Sequence, residues 1–562
     1  MSNKRIVIIG GTACGPKAAA RARRCDPAAK ITIIEQRNNL STATCGLPYY
    51  ISGVIKGEGA LVARQTDYFR DVMDMDVMVQ TRAAAVHPRE HKVDVINLTT
   101  NGRASLDYDK LVLATGCTPI VPDWKGKGLN GIFTLSNIPD AGAIRDHLTG
   151  SGAKDVVIVG AGLIGMEMAE AFVARGLRVT VVEAMDRVLP ALLDFEMAAH
   201  LEKHLKAKGV KIICGQPVSG FTGDNGKNVR KVITRDKEIE ASLVLLSLGV
   251  RPDASLGKAA GLTTGATGGL AVDEHLRTSD PDIYAGGDCV ELVNLITGKK
   301  TLVPLGSTAN KHGRVIGTNV TGGSETFKGV LGTAIAKVFN YNVGRVGLTE
   351  SQAREAGYQV TTSLVPTFEH ATYYPGARDI FVKLVAEKSS GKLLGGQAIG
   401  TGDTAKRIDV LAAALTFGAG VDDLADIDLA YAPPYNSAMD PLHNAANVIR
   451  NKQSGLGRSL TPVEVKKKIE AGERFTLLDV RSPAEWKAQR IPAGQVKLIP
   501  LPELRKRLGE LNREEEIVTF CRTSIRAYQA QRILDGAGFK NVKFLDGSLE
   551  GWPFETESGA PA

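Results

Sequence analysis

Short apolar runs that end in glycine recur along the chain. Arg5-Ile6-Val7-Ile8-Ile9 stops at Gly10-Gly11-Thr12-Ala13-Cys14-Gly15 and opens an Ala/Arg-rich segment to Arg24. The pattern predicts strand, glycine turn and helix, because an unbroken apolar run suits a strand and the glycines allow a tight turn. Backbone N–H groups of such a turn, with the helix N-terminus, can face a pyrophosphate. The next predicted strand, Lys30 to Ile34, ends in Glu35, suited to a ribose hydroxyl. Gly10, Gly11, Gly15 and Glu35 are therefore candidate nucleotide-binding residues, with Thr12 in place of the middle glycine.

A complete version follows: a strand Asp155 to Val159, then Gly160-Ala161-Gly162-Leu163-Ile164-Gly165, a helix to about Arg175, and a strand Arg178 to Val182 ending in Glu183. Gly160, Gly162, Gly165 and Glu183 join the candidates. Two such units imply two dinucleotides. An acidic strand end favours a free ribose 2′-hydroxyl, so NADH is expected over NADPH, although Arg187 leaves room for the latter. Two further apolar runs, Asp109 to Thr115-Gly116 and Asp282 to Gly287-Asp288, each read as a strand ending in a glycine turn.

Near the other end the pattern changes. Asn451 to Ser459 is polar, contains glycine and lacks periodicity, so residues 450–460 read as a linker to a separate small domain. That domain runs Phe475 to Arg481, Glu516 to Cys521, and Arg522-Thr523-Ser524-Ile525-Arg526 into a helix over Ala527 to Leu534. A cysteine at a strand end, before a tight turn and a helix N-terminus with arginines, sits where backbone N–H groups stabilise an anionic sulfur. Cys521 is a candidate thiolate or persulfide holder.

At 562 residues the chain exceeds what one core serves, so three or four domains are expected. No apolar run reaches membrane-span length, and the start enters a strand directly without a signal-peptide pattern, so a cytoplasmic protein is expected. The net charge of +8 comes without a basic run, which argues against nucleic acid as a partner. Seven scattered cysteines form no CxxC pair, so neither a metal site nor structural disulfides are expected. Cysteine chemistry then falls on single thiols, foremost Cys45 in Ser41-Thr42-Ala43-Thr44-Cys45-Gly46-Leu47-Pro48-Tyr49-Tyr50, just past the first nucleotide unit. Such a thiol reacts only as thiolate, which requires a helix N-terminus, a cation or an electron-rich cofactor to lower its pKa.

The Cys45 block resembles the Ser-x-x-x-Cys-x-Leu-Pro-Tyr signature of single-cysteine flavin reductases typified by coenzyme A-disulfide reductase. Ser41, Cys45, Leu47, Pro48 and Tyr49 match, and Thr44 replaces the usual asparagine. Where a dithiol reductase carries its second cysteine, this chain has Tyr50. The four glycine-turn motifs resemble, in order, those of the two-dinucleotide-binding flavoproteins, with Asp288 holding the ribityl–phosphate region of FAD. His370 to Gly376 and Ala430 to Tyr435 look like the same subgroup, in which tyrosines matching Tyr373 and Tyr431 reach from the partner subunit of a homodimer towards the active cysteine. Arg23 and Arg24 match a basic pair used there for coenzyme A phosphates, and Ser41 is a further substrate-binding candidate. The Cys-x-x-x-x-Arg loop from Cys521 to Arg526 resembles rhodanese, with Ser524 in place of a common glycine and Gln489-Arg490-Ile491-Pro492 in place of Gly-His-Ile-Pro.

The resemblance implies an α/β protein with two dinucleotide-binding (Rossmann-like) domains, an α+β dimerisation domain and a C-terminal rhodanese-like α/β domain. Its expected bounds are 1–150 and 251–330 for the FAD domain, 151–250 for the NAD(P)H domain, 331–449 for dimerisation and 461–562 for the rhodanese-like domain. The implied activity is an FAD-dependent, NAD(P)H-driven reduction of coenzyme A disulfide, coenzyme A persulfide or polysulfide through Cys45. Cys521, with Arg526, would handle sulfane sulfur. Two alternatives stand beside it: an NADH oxidase or peroxidase cycling through a cysteine sulfenic acid, whose members carry a histidine where this chain has Ala13, and a sulfur-delivery protein with a redox-sensing flavoprotein part.

Overall fold

A computed structural model describes residues 4–224 and 227–558. The first three and last four residues of the expected outer domains, including the Met1 to Asn3 start, lie outside it. The chain forms two compact units, 1–185 with 209–330, and 186–208 with 331–562.

In the first unit, Arg5–Ile9 occupies the centre of a five-stranded parallel sheet, flanked by Lys30–Ile34 and Lys110–Leu113, with Asp76–Met78 and Ile283–Ala285 at the edges. Its side chains alternate between two cores: Ile6 and Ile8 pack with Ile31 and Ile33 on one face, Val7 and Ile9 with Ile34 and Leu113 on the other. Burial on both faces is why the run is apolar at every position instead of every second one. A second parallel sheet in the same unit runs Lys211–Ile213, Arg178–Val182, Asp155–Val159, Leu243–Leu246, Ile132–Phe133. After each central strand the chain turns into a helix, Cys14–Cys25 or Leu163–Ala174. A Cβ at Gly15 would stand 1.9 Å from the Gly10 carbonyl oxygen, and one at Gly165 would stand 2.3 Å from that of Gly160. Only glycine permits either approach.

The second unit holds an antiparallel sheet in the order Ala334–Val338, Tyr341–Gly347, Leu393–Gly400, Asp379–Glu387, Val360–Phe368. It also holds a parallel sheet in the order Ser459–Leu460, Val542–Leu545, Ile517–Phe520, Thr476–Asp479, Val496–Leu498. Two stretches differ from the sequence reading. Residues 186–208, inside the expected NAD(P)H domain, belong to this unit. Their helix Phe195–Ala207 places His200 and His204 on one face, stacked on Phe381 at 4.4 Å and Tyr341 at 3.9 Å. The stretch read as a linker is mostly ordered: the helix Pro441–Gln453 runs through its start, and Ser459–Leu460 pairs with Phe544 and Leu545. No helix among the described residues is long and apolar enough to cross a membrane.

Lys383, on the Asp379–Glu387 strand, is fully buried with its ammonium 3.1 Å from Asp194, 2.5 Å from Glu196 and 2.8 Å from Glu350. Burial opposes the charge on Lys383, but the three carboxylates hold its pKa above the ordinary value. Burial likewise opposes ionisation of Asp194 and Glu350, and Lys383 nonetheless holds both below the usual carboxylate range. A group with a depressed folded pKa contributes stability above its unfolded value, about 4 for a carboxyl, and loses it as pH falls through the folded value. Acidification below about pH 4 should therefore weaken this unit through Asp194 and Glu350. Lys383→Met, which strands three carboxylates, should destabilise the folded chain by about 3–5 kcal/mol at neutral pH, with part of the loss recovered on mild acidification. Urea unfolding of the two proteins across pH checks both statements.

Candidate active site

The two strand-end glutamates do the same local work. Glu35 accepts from Gly11 N–H at 2.7 Å and from Arg37 N–H at 2.9 Å. Glu183 accepts from Ala161 N–H at 2.8 Å and from Met185 N–H at 2.9 Å. Each carboxylate thus braces the second residue of its glycine turn and keeps lone pairs for a ribose. At the first cradle, Gly287, at φ 81°, donates its N–H to His312 Nδ1 at 3.0 Å. Burial pushes His312 down to about 4, so the ring is neutral, and its Nε2 is buried without a partner. Asp288 accepts from the Cys117 thiol at 3.3 Å, and burial raises its carboxyl. Gly116, at φ 75°, has open space where a Cβ would stand. Thr115 donates its hydroxyl to the Asp253 carbonyl at 2.6 Å and braces the loop. Side-chain-free turns and an orphaned imidazole nitrogen fit a bound dinucleotide at this cradle.

Cys45 lies on the one-turn helix Thr44–Gly46, directly before the helix Leu47–Ser52, and is exposed. Its loop hangs from the first glycine turn: Ser41, at φ 53°, donates its N–H to the Gly11 carbonyl at 2.7 Å and accepts from Ala63 at 2.9 Å. The role found for Ser41 is this backbone tie. Tyr50 is buried with the Arg145 guanidinium over its ring at 4.2 Å, so packing fills the place of a second thiol. None of the seven cysteines is joined in a disulfide.

Burial raises the Cys45 thiol, and the charges of Glu167 and Asp288 raise it further, with only its backbone hydrogen bond opposing. The two side chains that act on it are acidic, and its lowering influence comes from the backbone just ahead of the helix Leu47–Ser52. Glu167, two residues past Gly165 on the helix Leu163–Ala174, was missed in the sequence. Burial and the charge of Glu170 push it up to about 7. Its signal was a glutamate one turn into the helix after the complete glycine fingerprint.

Tyr373 and Tyr431 come together from 58 positions apart, hydroxyl to hydroxyl at 3.1 Å. Both are exposed, 73% and 50%. Their bond raises the Tyr373 phenol above its ordinary value. Arg23 does not stand free for a phosphate: it donates to the carbonyls of Met73, Pro27, Ala29 and Asp74. Arg24 is exposed. Arg187 donates to the Leu193 carbonyl at 3.0 Å and pairs with Asp186 at 2.7 Å.

Cys521 is buried at the end of Ile517–Phe520. Ser548, whose role sequence reasoning missed, accepts from its N–H at 3.1 Å and donates to its Sγ at 3.8 Å. Ser524 takes the left-handed φ of 81° that glycine supplies elsewhere, and its hydroxyl donates to the Leu545 carbonyl at 3.1 Å. That bond offsets the strain of the departure from glycine. Arg526 bonds Glu485 twice, at 2.9 and 2.6 Å, and holds it down to about 2. Glu485 itself caps the helix Pro483–Ala488 with Ser482, and the Ser-x-x-Glu spacing was its sequence signal. In the altered Gln489 to Pro492 stretch, Arg490 pairs with Glu557 at 2.6 Å and Gln489 bonds Thr556 at 3.0 Å.

Glu167→Gln removes a charge that raises Cys45, so the thiol pKa should fall. Alkylation of Cys45 by iodoacetamide at a pH below that pKa, in protein stripped of cofactor, should accelerate by about threefold to tenfold. Labelling rates read by mass spectrometry test this.

The model of the pyridine nucleotide-disulphide oxidoreductases matches residues 4–313, that of their dimerisation domain 333–443, and that of the rhodanese-like domain 461–554. The NAD(P)H coenzyme A polysulfide/persulfide reductase of Pyrococcus horikoshii is 37% identical over 80% of this chain and 98% of its own. An NADH oxidase of Methanocaldococcus jannaschii is 34% identical over 80% and 99%. The solved NAD-dependent persulfide reductase from A. fulgidus superposes with a TM-score of 0.92 at 42% identity, covering 98% of this chain and 100% of that one. With one family's model spanning more than half of the sequence and its dimerisation domain following in order, the chain belongs to the pyridine nucleotide-disulphide oxidoreductases.

Proposed function

We propose that the protein is an FAD-dependent, NAD(P)H-driven reductase of coenzyme A disulfide, coenzyme A persulfide or polysulfide that works through Cys45 as a homodimer. Its rhodanese-like domain carries sulfane sulfur on Cys521. The observation that carries this reading is a single exposed thiol hung from the first glycine turn, with a buried tyrosine where a second thiol would stand.

FAD bound at the first cradle supplies the electron chemistry that links NAD(P)H to sulfur. Gly10, Gly11, Gly15, Glu35, Gly116, Gly287 and Asp288 hold it, and Gly160, Gly162, Gly165 and Glu183 hold the nicotinamide dinucleotide, with Glu183 favouring NADH. Cys45 thiolate attacks a sulfur–sulfur bond of the substrate and expels a thiol or hydrosulfide, which leaves a mixed disulfide or a persulfide on Cys45. A departing thiolate needs a proton or a hydrogen bond. The Tyr373–Tyr431 pair supplies it, each subunit reaching towards the reactive sulfur of the other. Arg24 is the remaining cation for a coenzyme A phosphate.

An oxidase reading has a named relative behind it, but Ala13 offers no group to donate a proton to peroxide at the first turn, so disulfide or persulfide reduction is preferred. NADH consumption with oxygen or peroxide, set against coenzyme A disulfide and persulfide, separates the two.

Cys45→Ser should leave flavin reduction by NADH intact and lower turnover of disulfide or persulfide by about a thousandfold or more. Cys521→Ser should abolish sulfur transfer to an acceptor thiol and spare coenzyme A disulfide turnover. Full turnover by Cys45→Ser would end the proposal. Tyr373→Phe should slow turnover by about tenfold to a hundredfold with flavin reduction unchanged, read by stopped-flow absorbance against steady-state rates.

A further inference from the structure

Tyr373 and Tyr431 are exposed, and neither lies in a strand or a helix. Two solvent-facing phenols keep their rotamer freedom, so a hydroxyl-to-hydroxyl distance of 3.1 Å persists only where the backbone that carries each ring is fixed. Buried side chains from elsewhere in the same unit supply that fixing.

Arg407, on the helix Thr404–Thr416, is 1% exposed. Its Nη2 donates to the Glu369 carbonyl at 2.6 Å and to Asn436 Oδ1 at 3.1 Å, and lies 3.1 Å from Asp440 Oδ2. Glu369 immediately precedes the stretch His370 to Gly376 that carries Tyr373. Asn436, also buried, donates through Nδ2 to the Ala430 carbonyl at 3.3 Å, one residue before Tyr431. Asp440 caps the helix Pro441–Gln453 by accepting from the Leu442 N–H at 2.8 Å. One guanidinium is thus the point where both tyrosine loops are tied, the first directly and the second through Asn436, with a helix on either side as anchor. A lysine there could balance Asp440, but a point charge could not serve the carbonyl and the amide oxygen with the same fixed fork.

We propose, resting on the function given above, that Arg407 and Asn436 are positioning residues for departure of the thiol: they set the spacing of the Tyr373–Tyr431 pair and so the rate at which a proton reaches the leaving sulfur. As the sulfur–sulfur bond of the substrate breaks, one phenol gives its proton to RS⁻. The phenolate left behind accepts the hydrogen bond of the other phenol until water reprotonates it. A shift of either loop by about 1 Å takes the second phenol out of hydrogen-bond range and removes that support.

The test uses the full-length FAD-loaded protein with NADH and saturating coenzyme A disulfide. Asn436→Ala, which unties the Ala430 carbonyl, should lower kcat about fivefold to twentyfold with KM moved less than about twofold, while flavin reduction by NADH keeps its rate. Arg407→Lys, which keeps the charge opposite Asp440 but loses the fork, should do the same and replaces Asn436→Ala if that variant folds poorly. In a Tyr431→Phe background neither change should lower kcat further by more than about twofold, because the pair is already broken. The fluorine NMR resonance of Tyr373 in fluorotyrosine-labelled protein gives a second readout, independent of turnover. The bond to Tyr431 raises the Tyr373 phenol, so its loss should let that phenol ionise at lower pH, and Asn436→Ala should reproduce the shift seen with Tyr431→Phe. A Tyr373 titration unmoved by both variants, or a loss of kcat undiminished in the Tyr431→Phe background, overturns the proposal. Should Tyr373→Phe leave turnover unchanged while the Tyr373 titration still follows Asn436 and Arg407, the acid role given to the phenols is overturned and the positioning stands.

Discussion

The approach of Gly15 to the Gly10 carbonyl is the constraint from which the first unit is built. With no Cβ at Gly15, the helix Cys14–Cys25 can begin directly against the end of the central strand. The turn between them then presents one N–H, from Gly11, to Glu35 and one carbonyl, also from Gly11, to Ser41. The first bond fixes the turn to the neighbouring strand. The second fixes the reactive-cysteine loop to the turn. A methyl group at Gly15 would force the helix away and move both, so the location of Cys45 relative to a bound dinucleotide is set thirty positions earlier in the chain.

Placement and activation of the thiol are separate problems in this protein. Backbone bonds solve the first, through Ser41 held at φ 53°. The side chains do not solve the second: burial, Glu167 and Asp288 all disfavour the thiolate. Stabilisation of the thiolate is left to its backbone and to whatever group binds beside it. Tyr50, locked under Arg145, removes the chance that a neighbouring thiol could be that group.

What could be read in the sequence was what repeats or is local. The strand–glycine–helix units, with their strands at Arg5–Ile9, Lys30–Ile34, Asp155–Val159 and Arg178–Val182, follow from apolar runs and glycine spacing and match the structure residue for residue. Cys521 at a strand end was equally legible. What escaped were positions decided by partners distant in sequence. Arg23 looks like a surface cation in a helical pattern, yet the carbonyls of Met73 and Asp74 claim it. Residues 186–208 continue the chain from a nucleotide-binding strand, but His200 and His204 find aromatic rings on another sheet. Glu167 carried a positional signal in the fingerprint, although its raised pKa depends on burial that no spacing reveals.

The misread linker shows the same principle at its sharpest. A polar, glycine-containing stretch without periodicity is what a flexible tether looks like, and its composition alone supports nothing else. Lys452, inside that stretch, donates to the Thr362 carbonyl at 2.6 Å and to Asp546 at 2.5 Å, and Asp546 is buried. Asp546 begins a turn whose next residue, Gly547, would place a Cβ 2.8 Å from Leu364, and whose third, Ser548, bonds the backbone and sulfur of Cys521. Three consecutive residues thus join the antiparallel sheet to the nucleophile. Removing either partner of the buried pair would strand a charge, so the contact between the two sheets would be costly to break one residue at a time. The polarity that reads as solvation in the sequence is the polarity of a buried contact between Lys452 and Asp546.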